Sequence, residues 1–178
     1  MLNKITVNHQ IHLTKVLESD HTNLIQYLTD EQIFSNTLTI PYPYTERDAQ
    51  LFTTRCREKE KQYGFNPNWA IRNQDNELIG GIGHFLNSGA DGHKDEIGYW
   101  IARPYWGKGL MTETVKIFSE YLFDNFTFVR LEALVFHYNP ASAKVLQKAG
   151  YEKEGILKKY TLKNNEPLDI IVYAKIKS

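Results

Sequence analysis

Glu96-Ile97-Gly98-Tyr99-Trp100-Ile101-Ala102-Arg103-Pro104-Tyr105-Trp106-Gly107-Lys108-Gly109-Leu110-Met111 is the most informative segment of the chain, because a run typical of a β-strand ends at a Gly-x-Gly turn and a helix begins directly after it. Gly107 and Gly109 lack the Cβ atoms that would keep a phosphate away, and the N–H groups of the helix's first turn point at the same place. The helix dipole contributes about 0.3–1 kcal/mol per interacting charge, and Lys108 adds a mobile cation. The stretch therefore predicts an anion site, although a two-glycine turn alone also fits a plain chain reversal.

Length and charge limit the classes of protein to consider. The 178 residues are 42% hydrophobic and contain no linker-like segment, so we expect one domain over residues 1–178. Because 21 basic residues balance 21 acidic ones, nucleic acid is not expected as a partner. No signal core and no run of ~20 apolar residues is present, so we expect a cytoplasmic protein without a membrane partner. The single Cys56 excludes an internal disulfide and suits a reducing compartment.

Hydrophobic periodicity predicts the elements of the first half. Residues 10–16 alternate as a strand, and Asp20 is placed as the N-cap of a helix that runs through Leu28. A second helix begins after the N-cap Thr45, with Asp48 in its first turn. Its inward face is predicted to comprise Ala49, Phe52, Cys56 and Tyr63. Residues 69–72 and 77–87 are predicted to form a β-hairpin around the turn 73–76, and residues 94–102 a further strand.

The second half alternates helices and strands. Met111, Val115, Phe118 and Leu122 recur at helical spacing and predict a buried helical face. After a strand over residues 129–137, Asn139 is predicted to cap a helix with Pro140 at its first position and Gly150 just beyond its end. The inward residues of that helix are predicted to be Ala141, Val145, Leu146 and Ala149. A closing hairpin, 151–162 and 168–176, surrounds Asn164-Asn165, so the fold class is α+β.

Other candidate sites have simpler interpretations. His9 and His12 fall on opposite faces of one strand, so we expect no metal. The run Gly80-Gly81-Ile82-Gly83 lies within a strand and lacks the third glycine of a dinucleotide fingerprint, which favours close packing of another backbone. Cys56 faces inward and has no nearby His in the sequence, so a core role is favoured over covalent thiol catalysis. The Lys- and Glu-rich run 55–61 is typical of a solvated helix face.

The segment from about Glu96 to Gly155 resembles the GNAT N-acetyltransferase superfamily, and in particular its RimJ/RimL-like branch of ribosomal-protein N-terminal acetyltransferases. The resemblance is carried by residues 96–100, 105–113, 139–142, 148–151 and 154–155. Weaker matches at residues 41–45 and in the last hairpin extend it over nearly the whole chain. It implies a single GNAT-type domain, in which a mixed, strongly twisted sheet is flanked by helices and a splayed strand pair holds acetyl-CoA.

The resemblance also implies which residues bind acetyl-CoA. The pyrophosphate is expected on Gly107, Lys108, Gly109, Leu110 and Met111, and Trp106 is counted among the coenzyme-binding residues as the first position of the loop. The pantetheine arm is expected against Trp100, Ile101 and Ala102, with Asn139 beside it. The family's loop has the form Gln/Arg-Gly-x-Gly-x-Gly/Ala, so Trp106 and Met111 depart from it. Because backbone N–H groups hold the phosphates, these departures are compatible with binding if the Met111 side chain turns into the core.

The implied reaction is direct transfer of an acetyl group to a primary amine, either a protein N-terminus or a small-molecule amine. It requires a neutral amine, charge stabilisation at the thioester oxygen and protonation of the thiolate. Glu96 is the candidate base, with a salt-bridged strand carboxylate as its alternative role. Backbone N–H groups at residues 100–102 are candidates for the oxyanion. Many family members carry a Tyr acid where this chain has Leu146. In the RimJ/RimL-like branch a Ser that matches Ser142 is the proposed alternative acid, so the resemblance makes Ser142 the candidate acid, with a capping or coenzyme-contact role left open.

Departures in the last hairpin leave the general base open, and the identity of the acceptor is open as well. The branch's glutamate in the last hairpin is replaced around Tyr160-Thr161, whereas Asp169 and Tyr173 match its last strand, where packing is their simpler role. Acceptor choice is expected from residues 33–47 and 88–93. Within them, Phe34, Tyr42 and Tyr44 are either acceptor-entrance or core residues. A non-catalytic acyl-CoA-binding sensor or interaction module is the alternative function, and the oligomeric state is open between monomer and homodimer.

Overall fold

The computed structural model describes residues 4–89 and 91–177. Within them the strands are β1 (Lys4–Thr6), β2 (His12–Lys15), β3 (Asn68–Arg72), β4 (Leu78–His84), β5 (Lys94–Ile101), β6 (Arg130–Phe136), β7 (Glu152–Lys163) and β8 (Glu166–Ile176). The helices are α1 (His21–Leu28), α2 (Glu31–Ser35), α3 (Glu46–Tyr63), α4 (Leu110–Asn125) and α5 (Pro140–Lys148). Short 3₁₀ turns cover Glu18–Asp20 and Arg103–Tyr105. The short helix α2 and both 3₁₀ turns were not predicted.

The sheet is mixed, with the strand order β1-β2-β3-β4-β5-β6-β8-β7. The pairs β1–β2, β2–β3, β3–β4, β6–β8 and β7–β8 are antiparallel, whereas β5 and β6 are parallel. The parallel ladder joins Lys94 to Arg130, Asp95 to Leu131 and Glu96 to Glu132. The α+β expectation, with helices flanking a mixed sheet, is confirmed. No helix among the described residues is long and apolar enough to cross a bilayer.

Residues 4–83 and 99–110 form one compact unit. Helices α1 to α3 contribute to its apolar core, together with strand residues such as Ala70 and Leu78. Thr45 caps α3 as predicted, because its hydroxyl accepts from the Asp48 N–H while the Asp48 carboxylate accepts from the Thr45 N–H at 2.8 Å. Ala49 and Cys56 on the predicted inward face are buried. Phe52 and Tyr63 on that face are half-buried.

The glycines of β4 allow β5 to approach closely. A Cβ atom at Gly80 would lie 2.6 Å from the Trp100 carbonyl oxygen, and one at Gly81 would lie 2.7 Å from the Trp100 indole nitrogen. Both distances are shorter than real Cβ contacts, so a side chain at position 80 would displace the β5 backbone and one at position 81 would displace the Trp100 indole. The prediction that another backbone packs closely here is confirmed at Gly80, whereas the close neighbour of Gly81 is the Trp100 side chain.

Asp20 requires a correction. It stands directly before α1, but its carboxylate makes no capping bond there. Instead it accepts two hydrogen bonds from the Arg72 guanidinium, at 2.7 and 2.8 Å, and one from the Leu17 N–H at 2.7 Å. A bidentate, charge-assisted pair is stronger than a neutral cap, so the tertiary partner on β3 takes the side chain.

Arg72 uses all of its donors inside this unit. Besides the two bonds to Asp20, its guanidinium donates to the Thr14 hydroxyl and to the carbonyl oxygens of Lys15 and Asn76. One side chain therefore fixes β2, the turn before α1 and the β3–β4 connection. Arg72 and Asp20 are 5% and 4% exposed, so the pair is shielded from water.

Residues 84–89, 91–98 and 111–177 form the second unit. The predicted face of α4 is confirmed, since Val115, Phe118 and Leu122 are fully buried and Met111 is buried. The Asn139 side chain caps α5 as predicted by accepting from the Ser142 N–H at 3.1 Å. Gly150 lies just beyond the helix with φ of +89°.

The inward face of α5 is narrower than predicted. Leu146 and Ala149 are buried, Val145 is half-buried, and Ala141 is exposed. At 3.6 residues per turn, a residue five positions before Leu146 lies about 140° around the helix from it. Ala141 therefore faces away from the side that packs, and the prediction for it was wrong.

The last two strands form the predicted hairpin around Asn164 and Asn165, which adopt φ of +52° and +65°. The pairing shifts register twice along β7, and Lys159 adopts φ of +50° at the second shift. The Asp169 carboxylate accepts from the Lys159 N–H at 2.8 Å and so holds this bulge, while Tyr173 is buried. Bulges and lysines on an outer strand oppose edge-to-edge pairing.

Replacing Arg72 by Met is expected to lower the free energy of unfolding by about 3–5 kcal/mol, because it leaves the buried Asp20 carboxylate without its cation. The matched control is Arg57→Met, which breaks the Arg57–Glu18 pair, whose side chains are 63% and 67% exposed. That change is expected to cost less than about 1 kcal/mol. Urea unfolding of both variants measures the difference, and equal losses would contradict this role for Arg72.

Candidate active site

The Gly-x-Gly turn presents its backbone to solvent at the beginning of α4. Gly107 and Gly109 adopt φ of +74° and +77°, a left-handed conformation that favours glycine, and a Cβ atom built on either would meet nothing within 4 Å. The segment 106–109 is exposed, whereas Leu110 and Met111 are buried. Met111 therefore turns its side chain into the core, as the resemblance requires. The open backbone and the helix start together suit an anion.

Trp106 anchors this turn. Its indole N–H donates to the Ile101 carbonyl oxygen at 2.7 Å, and its backbone N–H donates to the Arg103 carbonyl oxygen at 3.1 Å. The Lys108 ammonium lies 5.3 Å from the centre of the Tyr105 ring. The residue that departs from the family's loop pattern thus ties the loop to the end of β5. The sequence signal for this role is the indole itself, whose N–H is a donor that usually finds a partner when its ring packs against the protein.

The end of β5 offers fewer backbone donors than predicted. The Ala102 N–H donates to the Ile79 carbonyl oxygen at 2.8 Å, so this donor is already used. The expectation that it stabilises the oxyanion is therefore withdrawn. Backbone groups of successive strand residues point to opposite edges. Trp100 therefore shares the edge of Ala102, while the Ile101 N–H points away from β4. Ile101 is the donor of the three that this geometry favours.

The structure brings Asn139 and Ser142 together at the beginning of α5. The Asn139 amide oxygen accepts from the Ser142 N–H, and both residues are half-buried. Ser142 lies in the first turn of the helix, where the dipole favours negative charge. Leu146 is fully buried, so the position of the usual Tyr acid belongs to the core.

Glu96 is half-buried on β5, and the Asn87 side-chain N–H donates to its carboxylate at 3.1 Å. Burial, followed by the charge of Glu132, raises the pKa of Glu96. Lys94 and Arg130 bind Glu132 rather than Glu96. Among the residues that the structure describes, no ion pair includes Glu96, so its alternative role as a salt-bridged strand carboxylate finds no partner in them.

A buried His–Asp pair contacts the backbone of Glu96, and it was not predicted from the sequence. The His84 Nδ1 atom lies 2.7 Å from the Asp95 carboxylate, and both side chains are almost fully buried. The same carboxylate accepts from the N–H groups of Glu96, at 2.8 Å, and Asn87, at 3.3 Å. Asp95 therefore fixes the backbone of both partners in the Asn87–Glu96 hydrogen bond. A single His and a single Asp, eleven residues apart in apolar surroundings, gave no signal.

Residues expected near the acceptor differ in exposure. Tyr44 is buried, and burial raises the pKa of its hydroxyl, so it is a core residue. Phe34 and Tyr42 stack at 5.1 Å between ring centres, with Tyr42 exposed. The predicted acceptor loop 88–93 includes Ala90, which lies outside the described residues.

The protonation of Cys56 and the placement of possible metal ligands bear on thiol and metal chemistry. Burial raises the pKa of the Cys56 thiol to about 12, so it is protonated at neutral pH. In the part of the chain that the structure describes, no three or more His, Cys, Asp and Glu residues are placed to hold a metal ion.

Comparison with known proteins decides the family. A family model described as an acetyltransferase (GNAT) domain matches residues 10–152, which is most of the chain. The chain belongs to the GNAT acetyltransferase family. This GNAT chain is 39% identical, over 112 residues, to the uncharacterized N-acetyltransferase YoaA of Bacillus subtilis (strain 168), covering 61% of this chain and 62% of YoaA. The matches span about 55–62% of the length of the first three curated relatives.

Solved structures share the GNAT fold over nearly the whole chain. The microcin C7 self-immunity acetyltransferase MccE, in complex with acetyl-CoA and AMP, superposes with a TM-score of 0.86 at 18% identity, covering 99% of this chain and 98% of MccE. RimL, a ribosomal L7/L12 α-N-protein acetyltransferase in complex with coenzyme A, superposes with a TM-score of 0.83 at 20% identity, covering 97% of each chain. At these identities the likeness shows the fold.

Cys56 is expected to resist alkylation by iodoacetamide in the native GNAT protein at pH 8, because its thiol is buried and protonated. Mass spectrometry should find it unmodified until denaturant is added and then fully modified. Rapid modification under native conditions would contradict the core role.

Proposed function

We propose that the chain is an acetyl-CoA-dependent N-acetyltransferase that passes the acetyl group directly to a primary amine. The observation that carries this proposal is the open Gly107–Gly109 backbone at the start of α4 within a GNAT domain. Membership of the family supports acetyl-CoA as the donor, and MccE and RimL are both described with this coenzyme or coenzyme A bound. The N–H groups of residues 107–111 would hold the pyrophosphate, with Lys108 as a mobile cation beside it.

The remaining donor contacts follow from the family's pattern. The pantetheine arm would lie along Trp100 and Ile101 at the end of β5 and the following Ala102, and Asn139 is a further coenzyme contact that the family's pattern supports. The Ile101 N–H is the proposed oxyanion donor, because the Ala102 N–H is bonded to Ile79. Trp106 would hold the loop in its open form through its bond to the Ile101 carbonyl oxygen. Preorganised donors of this kind stabilise charge that develops in the transition state.

Glu96 is the proposed general base and Ser142 the proposed acid. An ordinary side-chain amine has a pKa near ~10.4 and an α-amine near ~7.7–8.0, so a base assists the former more. Glu96 accepts a proton only when it is ionised. Because its pKa is raised, activity should be lost on acidification at a higher pH than with an ordinary glutamate as the base. Ser142 would protonate the departing thiolate from the first turn of α5, where the helix dipole stabilises negative charge.

The acceptor is proposed to be a protein N-terminus or a small-molecule amine in the cytoplasm. RimL is described as an α-N-protein acetyltransferase, and its fold likeness supports the first class. The balanced net charge favours no nucleic-acid partner. The assembly is proposed to be a monomer or a homodimer, and the bulged, Lys-containing β7 edge favours the monomer.

Thiol release from acetyl-CoA tests the function directly. The purified protein should release coenzyme A in the presence of one class from a panel of N-terminal peptides, polyamines and aminoglycosides, and calorimetry on the same sample should detect acetyl-CoA binding. Binding without release by any amine would favour the non-catalytic sensor, for which the buried Leu146 at the usual acid position is the supporting observation. Absence of binding would contradict both functions.

Gly109→Trp is expected to weaken acetyl-CoA binding at least ~10-fold in calorimetry, because the indole fills the space proposed for the pyrophosphate. Gly89→Trp is the matched control, since Gly89 also adopts a positive φ, +79°, with nothing within 4 Å of a built Cβ atom. The control suffers the same backbone strain and should keep its coenzyme affinity. Equal affinities in the two variants would refute this placement of the coenzyme.

Ser142→Ala is expected to lower kcat about 10²-fold or more while changing acetyl-CoA affinity little, because general acid catalysis contributes on this scale. Ser142→Thr retains a hydroxyl and should recover most of the turnover. A parallel loss of affinity and kcat in Ser142→Ala would instead assign Ser142 a coenzyme-contact role.

A further inference from the structure

Glu96 and Glu132 lie side by side at the end of the parallel ladder. They are direct partners in the pairing of β5 with β6, as are Lys94 and Arg130 one step earlier on the same face. Side chains at paired positions of neighbouring strands project to the same side of the sheet. Two carboxylates therefore share one face of the second unit, with two basic residues behind them.

Lys94 and Arg130 both bind the carboxylate of Glu132 rather than that of Glu96. Lys94 lies 3.2 Å from the Glu132 carboxylate, and the Arg130 Nε atom donates to it at 2.7 Å. Arg130 is itself held by Glu154, which accepts from both terminal guanidinium nitrogens. Partial burial opposes ionisation of Glu132, but the hydrogen bonds from Arg130 and Lys94 lower its pKa overall. Glu132 is thus a fixed negative charge beside Glu96.

The other polar groups near Glu96 are accounted for. Asn87, from the segment after β4, donates to the Glu96 carboxylate. Asp95 and Lys94 flank Glu96 on its own strand, but Asp95 is bonded to His84 and Lys94 to Glu132. On β8, the residue paired with Glu132 is the uncharged Ala174. Among the described residues, Glu132 is therefore the ionised side chain that a neighbouring strand presents to Glu96.

We propose that Glu132 is a positioning residue that acts through Glu96, its fixed charge making Glu96 a stronger proton acceptor than an ordinary strand glutamate. This inference rests on the proposed function only in assigning Glu96 as the base. A carboxylate with an ordinary, low affinity for protons is a poor acceptor of the proton of an ammonium group. A general base works best when its pKa approaches the pH at which the enzyme works. Two carboxylates whose surroundings separate their proton affinities are a recurring arrangement in acid–base catalysis.

The direct test is the titration of the Glu96 carboxyl by ¹³C NMR in the full chain without substrate, with its signal assigned by its loss in Glu96→Gln. Glu132→Gln is expected to move the midpoint of Glu96 downward by about 0.5–1 pH unit, because a like charge is removed from its neighbour. The matched control is Glu154→Gln, which removes the same charge from the same network and loosens Arg130, yet leaves Glu132 in place. Its Glu96 midpoint should stay within about 0.2 pH unit of the parent's.

The pH profile of acetylation supplies a second measurement. In Glu132→Gln the acid limb of kcat/KM should move to lower pH by the same amount as the NMR midpoint, and in Glu154→Gln it should not move. An unchanged Glu96 midpoint in Glu132→Gln overturns the inference, as does an equal shift in both variants, which would assign the effect to the released Arg130. Failure of the proposed function shows itself separately, as absence of thiol release with every amine while the titration shift persists.

Discussion

The parallel ladder between β5 and β6 fixes the position of the proposed base and of the strand that leads to the phosphate loop. It joins three residue pairs and ends at Glu96 and Glu132, although β5 runs on to Ile101 and β6 to Phe136. Its last pair sets two carboxylates side by side. Beyond it, β5 packs its Trp100 against the glycines of β4 and leads into the turn that begins α4. One strand therefore carries the proposed base, the proposed oxyanion donor and the chain that enters the phosphate loop.

A buried carboxylate with several hydrogen-bond partners reinforces each compact unit. In the first, the Asp20 carboxylate binds Arg72 and also accepts from the Leu17 N–H. In the second, the Asp95 carboxylate contacts His84 and accepts from two backbone N–H groups, one of them that of Glu96. Burying a charge is costly unless its hydrogen-bonding capacity is satisfied, and both carboxylates have several partners. The Asp95 carboxylate also holds the backbone of Glu96, so a contact that stabilises the second unit positions the proposed base.

Features whose cause is local could be predicted from the sequence. The Thr45–Asp48 capping box, the Asn139 cap, the face of α4 and the Asn164-Asn165 turn depend on residues within a few positions of one another, and each is found in the structure. Features whose partner is distant in the chain could not. Asp20 was assigned to a cap because Arg72 lies 52 residues away, and the His84–Asp95 pair carries no motif. The Ala102 donor was misjudged because its acceptor, Ile79, belongs to another strand.

We propose that acetyl-CoA is held by the backbone N–H groups of Ile101 and of residues 107–111. Hydrogen exchange of the native protein, followed with and without saturating acetyl-CoA, measures this most directly because it reports individual backbone amides. Exchange is expected to slow at Ile101 and at residues 107–111 when the coenzyme is bound, and to stay unchanged in the turn around Gly89. Binding of acetyl-CoA with no change in exchange at residues 107–111 would contradict it.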